Sequence, residues 1–312
     1  MEKDAKIFVA GHRGLVGSGI CRRLAAAGFH NLATRTHSEL DLTDAGAVEA
    51  FFAAEKPEYV FVAAAKVGGI VANSTYPVDF LRDNTLIQTH ILEAARRSGC
   101  RKVLLLGSSC IYPRLAPQPL REDYLLTGPL EETNQWYAIA KISGILLGQA
   151  YRRQYGLNVI SAMPTNLYGP GDNFDLNTSH VLPAMLRKFH EARRDAAPAV
   201  VLWGDGSPLR EFLYIDDLAD ACLFLMTQYD SEEIVNVGTG KDVSIAALAE
   251  MVRGVVGYGG DIQWDTGKPN GTPRKLLDVS RLAALGWKAS TPLREGIAVT
   301  YDWFAGSADA RM

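Results

Sequence analysis

The stretch KIFVAGHRGLVG, residues 6–17, decides how the chain folds. An apolar, β-prone run ends at Ala10, glycines follow at 11, 14 and 17, and apolar helical spacing starts at Leu15. Glycine is needed where a turn takes positive φ, where backbone meets a pyrophosphate and where helix packs on strand. The helix start then offers unpaired N–H groups and a positive dipole end to the anion. Strand, glycine turn and helix in that order predict a dinucleotide site in a βαβ unit.

Outward from this stretch the first half alternates between two periodicities. Strand-like runs at 6–10, 31–36, 58–64, 102–107 and 158–163 are separated by helical spacing at 15–28, 45–56, 79–98 and 135–155. That alternation predicts an α/β fold with a Rossmann-type doubly wound parallel sheet, and the nearly continuous apolar runs suit strands buried on both faces. After residue 164, Pro164, Gly169, Pro170 and Gly171 break the pattern. Helical spacing returns at 181–194 and 215–228, strands are expected at 200–203 and 234–237, and the tail mixes helix (244–256, 293–304) with a short strand (262–264). The division expected is a dinucleotide domain from 1–165 plus 212–240 and a smaller α/β substrate-binding cap from 166–211 plus 241–312.

A length of 312 residues suits about two such units at ~150 residues each. With 32 Lys and Arg against 35 Asp and Glu, 21% charged and 47% hydrophobic residues, the chain is no polybasic nucleic-acid binder and no acidic disordered chain. No apolar run approaches the ~20 residues of a membrane span, and the first residues enter a strand without a signal-peptide core, so a cytoplasmic location without nucleic-acid or membrane partners is expected. Cys21, Cys100, Cys110 and Cys222 show no CxxC pair or ligand-like spacing with histidine, which predicts free thiols and no metal site.

Strand two runs out in TRTH, 34–37, with no acid to take a ribose 2′-hydroxyl. Arg13 and Arg35 are placed instead for a 2′-phosphate, favouring NADP(H), unless they merely solvate a loop edge. Strand four runs into GSSCIYP, 107–113, where ligands of open sheets bind. Tyr137 and Lys141, four residues apart, share one helix face. A nearby cation would lower the tyrosine's ordinary pKa of ~10, while Ser108 would hydrogen-bond a carbonyl. Cys110 lies two residues past Ser108, on the same face of an extended segment, and a thiolate there could take a proton next to a ketone. A plain structural thiol is the other reading. His180 opens the 181–194 helix, either as a solvated residue or as an imidazolium that reprotonates the opposite face.

These residues, with AAAKVGGIVAN (63–73), LLGSSCIYP (105–113), YAIAKI (137–142), PTNLYGP (164–170), WGDGSPLREFL (203–213), NVGTG (236–240) and KPNGTPRKLLDV (268–279), resemble the extended short-chain dehydrogenase/reductase family over about residues 5–305. Within it the likeness is to epimerase–reductases of GDP-sugars. The resemblance implies conversion of GDP-4-keto-6-deoxy-D-mannose to GDP-L-fucose. Cys110 would be the base and His180 the acid that invert C3 and C5. Reduction at C4 by NADPH would use Tyr137 as proton donor, Lys141 to tune it and Ser108 to polarise the carbonyl. Implied cofactor contacts are Gly11, His12, Arg13, Gly14, Leu15, Val16, Gly17, Arg35, Asp41, Leu42, Leu106, Gly107, Ser108, Ser109, Tyr137, Lys141, Pro164, Thr165, Asn166, Leu167 and His180. GDP-sugar contacts fall on Lys188, Trp203, Arg210 and Asn270. Two cations for a diphosphate and a flat indole face for guanine or sugar make chemical sense, though Arg210 could instead pair with Glu211.

Relatives commonly carry arginine where this chain has His37 and aspartate where it has Asn270. The first change would soften the NADP preference, and the second removes a charge at the sugar. A sibling reading is an enzyme for a 3-deoxy-4-keto GDP-sugar, such as one making GDP-colitose. A non-catalytic NADP-sensing module is opposed by the intact set of Ser108, Cys110, Tyr137, Lys141 and His180. The resemblance also implies a homodimer built from the 79–98 and 135–155 helices. Their small and apolar residues, Ala94, Ala95, Ala138, Ala140, Gly144 and Leu147, could equally pack within the chain.

Overall fold

The computed structural model describes residues 1–268 and 270–307. Pro269, inside the 268–279 stretch, and 308–312, at the end of the expected cap range, lie outside the described residues. The strands are β1 (Ile7–Ala10), β2 (Leu32–Ala33), β3 (Tyr59–Val62), β4 (Lys102–Leu106), β5 (Val159–Pro164), β6 (Asn166–Tyr168), β7 (Ala199–Trp203), β8 (Leu209–Tyr214), β9 (Val235–Val237), β10 (Asp242–Ser244), β11 (Asp261–Asp265) and β12 (Arg274–Lys275). The helices are α1 (Leu15–Ala26), α2 (Ala45–Glu55), α3 (Ile70–Thr75), α4 (Pro77–Ser98), α5 (Gln135–Tyr155), α6 (Val181–Arg194), α7 (Ile215–Gln228), α8 (Ile245–Val256), α9 (Ser280–Ala284) and α10 (Leu293–Gly306).

Alternation along the strands explains the layers. Ile7 and Val9, Tyr59 and Phe61, and Leu104 and Leu106 enter one apolar cluster with α1 and α7. Their neighbours Phe8 and Ala10, Val60 and Val62, and Val103 and Leu105 enter a second cluster with α2 and α4. Successive side chains of a strand point to opposite faces, so these runs require helices on both. The result is the expected doubly wound sheet, in the order β2-β1-β3-β4-β5-β9 with every pair parallel. The order reverses between β1 and β3, where open α/β sheets form their ligand crevice.

The second half holds more strand than its sequence suggested. β8 pairs with β6 and β12 in parallel and with β10 antiparallel, and β7 pairs with β11. β8 also runs across residue 211, where the expected domain boundary falls. Phe189, Leu202, Val252 and Ile297 of this half join the same apolar cluster as α1 and α7. In the first half β2 is only two residues long, against the expected run of 31–36.

α4 and α5 pack against one another inside the chain. Ala94, Ala95, Ala138, Ala140 and Gly144 are all buried there or against the sheet, and Leu147 packs partly against the second cluster. A Cβ at Gly144 would lie 1.9 Å from Gln88 Oε1, and Gln88 is itself held by its amide, which donates to Asn84 O (2.7 Å) and Ala140 O (3.1 Å). We expect Gly144→Ala to cost about 1–3 kcal/mol, as overpacking does. An unchanged denaturant midpoint and slope would show that α4 and α5 yield freely.

Candidate active site

The turn after β1 is shaped by backbone crowding. Gly11 has φ +81°, and a Cβ there would meet Ala64 N at 2.7 Å. A Cβ on Gly17 would lie 2.1 Å from Gly11 O. Only glycine fits either position, so the turn can lie flat across the end of β3. Gly14 precedes α1 and supplies no side-chain cap, leaving the first-turn N–H groups of the helix to a ligand. His12 Nδ1 is buried without a partner among the described residues. This cradle, a helix start and an orphaned polar atom at the sheet's reversal point, fits the pyrophosphate of a dinucleotide.

Arg35, expected at a 2′-phosphate, also has partners within the chain. Its guanidinium donates to Glu55 at 2.6 Å and to Thr34 O at 2.8 Å, above the Phe51 ring. The carboxylate of Glu55 already satisfies that cation. Arg13 is exposed, and its charge, with that of Arg35, helps hold the Glu39 carboxyl below its ordinary value. His37 is exposed with Asp41 3.9 Å away, Asp41 itself accepts from Thr43, and Leu42 O is 3.1 Å from His90.

At the end of β4, Ser108 caps a single helical turn, Ser109–Ile111, and its Oγ accepts from Cys110 N–H at 3.2 Å. The thiol therefore reaches the serine through a turn and not along an extended face. Cys110 receives two further contacts: Asn134 Nδ2 at 3.3 Å and Lys275 Nζ at 3.4 Å. Burial pushes the thiol up, but the Lys275 charge and the hydrogen bonds from Ser108 and Lys275 outweigh it and hold the thiol below its ordinary value. Burial drives Cys100 and Cys222 to about 12. Neither Lys275 nor Asn134 was singled out from the sequence. Lys275 comes from 165 positions away, and the only signal for it was its place in the 268–279 stretch.

Tyr137 and Lys141 lie one turn apart on α5, with Lys141 Nζ 5.6 Å from the Tyr137 ring centre. The ammonium donates to Leu106 O at 2.7 Å, and burial lowers it to about 8. The expected lowering of Tyr137 is not found: burial first, then the charge of Cys110, push the phenol up. A phenol that keeps its proton at neutral pH is a general acid in waiting. His180 precedes α6, exposed within the cleft, where its protein surroundings and then Lys275 hold its imidazolium below the ordinary value.

A second group gathers on the small sheets. Arg210 faces Lys275 in the pairing of β8 with β12. No carboxylate pairs with it among the described residues, and burial lowers its guanidinium, which remains charged. The anticipated ion pair with Glu211 does not form, because adjacent strand residues face opposite ways. The Glu211 carboxylate is fully buried and accepts from Thr239, Gly240 and Leu277 backbone N–H groups. Lys188 Nζ donates only to Val201 O, at 3.0 Å. Trp203 is exposed, with Lys268 5.4 Å from its ring centre, and Asn270 Oδ1 accepts from Asp205 N–H at 2.9 Å. Two unneutralised cations beside an exposed indole suit a nucleoside diphosphate. Leu106, Gly107 and Ser109 are buried at the end of β4, while Leu15 and Val16 pack on the first apolar cluster. Pro164, Thr165, Asn166 and Leu167 join β5 to β6, with Thr165 Oγ1 and Asn166 Nδ2 donating to Glu211 O.

Fold and cleft together define a dinucleotide-binding α/β enzyme carrying a serine, tyrosine and lysine beside a thiol made more acidic by a lysine. The chain belongs to the NAD dependent epimerase/dehydratase family, which residues 7–238 match, as the resemblance to extended short-chain dehydrogenases/reductases implied. It is 60% identical to GDP-L-fucose synthase 1 of Arabidopsis thaliana, over 97% of this chain and 94% of that protein. It is 52% identical to GDP-L-fucose synthase of Escherichia coli K12, over 97% and 98%. GDP-L-colitose synthase of Yersinia pseudotuberculosis is 37% identical, over 96% and 97%. A GDP-L-fucose synthetase from Naegleria fowleri bound to NADP superposes with a TM-score of 0.93 at 29% identity, covering 100% of this chain and 98% of that one.

The charge contact between Lys275 and Cys110 is directly testable. In Lys275→Met the midpoint of thiol alkylation should move to higher pH, and a rise of one pH unit should slow iodoacetamide at pH 7 about tenfold. A midpoint equal to that of the unsubstituted protein would remove Lys275 as the source of the thiol's acidity.

Proposed function

We propose that this chain is an NADPH-dependent epimerase–reductase that converts GDP-4-keto-6-deoxy-D-mannose to GDP-L-fucose, the chemistry named for its 60% and 52% identical relatives. The observation that carries the reading is the thiol of Cys110, with the Lys275 ammonium 3.4 Å away and lowering it, in the same cleft as Ser108, Tyr137 and Lys141. Reduction alone needs no such base. Inversion next to a ketone does.

In this reading the Arg210 and Lys188 cations hold the diphosphate, and Trp203 and Asn270 meet the nucleoside or sugar. Ser108 Oγ hydrogen-bonds the 4-keto oxygen, whose electron withdrawal makes the C3 and C5 protons acidic. Cys110 Sγ takes a proton from one face of the carbon, and the His180 imidazolium returns one to the other. The hydride for C4 is the chemistry that NADPH supplies when bound over the Gly11–Gly17 cradle. Tyr137 Oη gives its proton to the oxygen that becomes the C4 hydroxyl, and the neighbouring Lys141 ammonium stabilises the phenolate left behind. Arg13 is the cation we assign to the 2′-phosphate. A dinucleotide domain of 1–165 plus 212–240 and a cap of 166–211 plus 241–312 are the division we propose. Cytoplasmic location and a homodimer through the outer faces of α4 and α5 complete the proposal. In support, no helix among the described residues is long and apolar enough to cross a membrane, and Leu146 of α5 is left exposed. The 3-deoxy substrate is the weaker reading, since the colitose relative stands at 37% identity.

The test is NADPH consumption with GDP-4-keto-6-deoxy-D-mannose, followed by identification of the product. GDP-L-fucose is expected, and a product that keeps the manno configuration at C3 would sink the proposal. Cys110→Ser should lose inversion by about 10²–10⁴-fold, and Tyr137→Phe should slow reduction in the same range. Undiminished rates in either variant would remove that residue from its role.

A further inference from the structure

Glu211 is fully buried, and no cation stands against it among the described residues. Every polar contact of its carboxylate is a donor. Oε1 accepts from Thr239 N–H (2.6 Å), Gly240 N–H (2.7 Å) and Thr239 Oγ1 (3.3 Å), and Oε2 accepts from Leu277 N–H at 3.0 Å. A Cβ at Gly238 would lie 2.3 Å from Oε1, so the 238–240 turn is closed around the oxygen. Leu277 lies two residues beyond Lys275, on the segment that continues β12. The same segment is held on its other side, where Leu120 N–H donates to Leu276 O (2.7 Å) and Asp278 N–H to Leu120 O (2.8 Å). β12 itself is only two residues long, so its own pairing with β8 fixes its register weakly.

We infer that Glu211 is a positioning residue for proton transfer: its carboxylate clamps the Leu277 backbone and so holds the Lys275 ammonium against the Cys110 thiol. The neighbour on the cleft side of β8 is Arg210, so one strand sets both the diphosphate cation and, through Glu211, the cation of the base. Carboxylate chemistry is essential to the clamp. Both carboxylate oxygens accept from backbone N–H groups here, whereas an amide must turn its NH₂ toward one of them. With two close bonds on the Thr239–Gly240 side, Glu211→Gln keeps that turn and turns its donor toward Leu277. Lys275 then loses its fixed place.

This inference rests on the proposed role of Cys110, but its test does not need turnover, so the two fail separately. Alkylation of the purified full chain by iodoacetamide across pH, with the Cys110 peptide followed by mass spectrometry, reads the thiolate directly. Glu211→Gln should raise the thiol midpoint by about one pH unit or more, which is about tenfold slower labelling at pH 7. In a Lys275→Met background the same substitution should add nothing, because the cation it positions is gone. A folded Glu211→Gln protein with an unchanged midpoint would overturn the inference, as would a rise that persists undiminished in the Lys275→Met background. If Glu211→Gln does not fold, Glu211→Asp takes its place: the shorter carboxylate cannot span Leu277 and the 239–240 turn together. Its thiol midpoint should rise, and an unchanged value again overturns the inference.

Discussion

A thiol in a protein cleft becomes more acidic when a cation is held against it, and here the cation comes from a different sheet. Cys110 belongs to the turn that ends β4 of the large parallel sheet, while Lys275 closes β12 at the margin of the small one. The contact of 3.4 Å can exist only if the two sheets keep a fixed offset. β8 supplies that offset. Beyond its partners β6, β10 and β12, its Glu211 carbonyl accepts from Thr165 and Asn166 at the end of β5. The strand therefore ties the small sheet to the carboxyl edge of the large one, where the cofactor cradle lies.

The same charge decides how the remaining protons are held. Lys275 lowers both Cys110 and His180, while the charge of Cys110 raises Tyr137. The ammonium of Lys275 and the charge of Cys110 thus couple the titrations of three groups in one cleft. Lys141 stands apart from this coupling, since burial alone lowers it and its ammonium is turned to Leu106 O.

The doubly wound half was legible because buried parallel strands and their helices carry strong, opposite periodicities. Lys6–Gly17 and the Tyr137–Lys141 spacing could be read locally, since each places its residues through a single turn. β8 escaped notice because its strand, LREFLY, carries Arg210 toward the cleft and Glu211 toward the interior, so charge masked a buried strand. Lys275 escaped for a topological reason, since nothing in a two-residue strand announces that it will meet position 110. The partner of Arg35 was not legible either, since Glu55 stands twenty positions on in α2. The turn at Ser109–Ile111 likewise replaced an assumed extended segment, because Ser108 prefers to cap the N–H of Cys110.

The two departures from the family pattern have unequal physical weight. At position 270 the atom that matters to the fold is an acceptor: Oδ1 takes the N–H of Asp205 and lies where a Cβ on Gly204 would sit, at 2.2 Å. Asparagine and aspartate both offer that oxygen, so the 204–206 turn is indifferent to the exchange, and only the charge facing the ligand changes. At position 37 no such structural duty exists, since the imidazole is exposed and meets only Asp41 at 3.9 Å. Replacing arginine there removes a permanent cation from the edge of the cradle while Arg35 is already engaged by Glu55. Arg13, on the glycine turn itself, is the exposed cation that remains beside the cradle, with Glu39 as its charged neighbour.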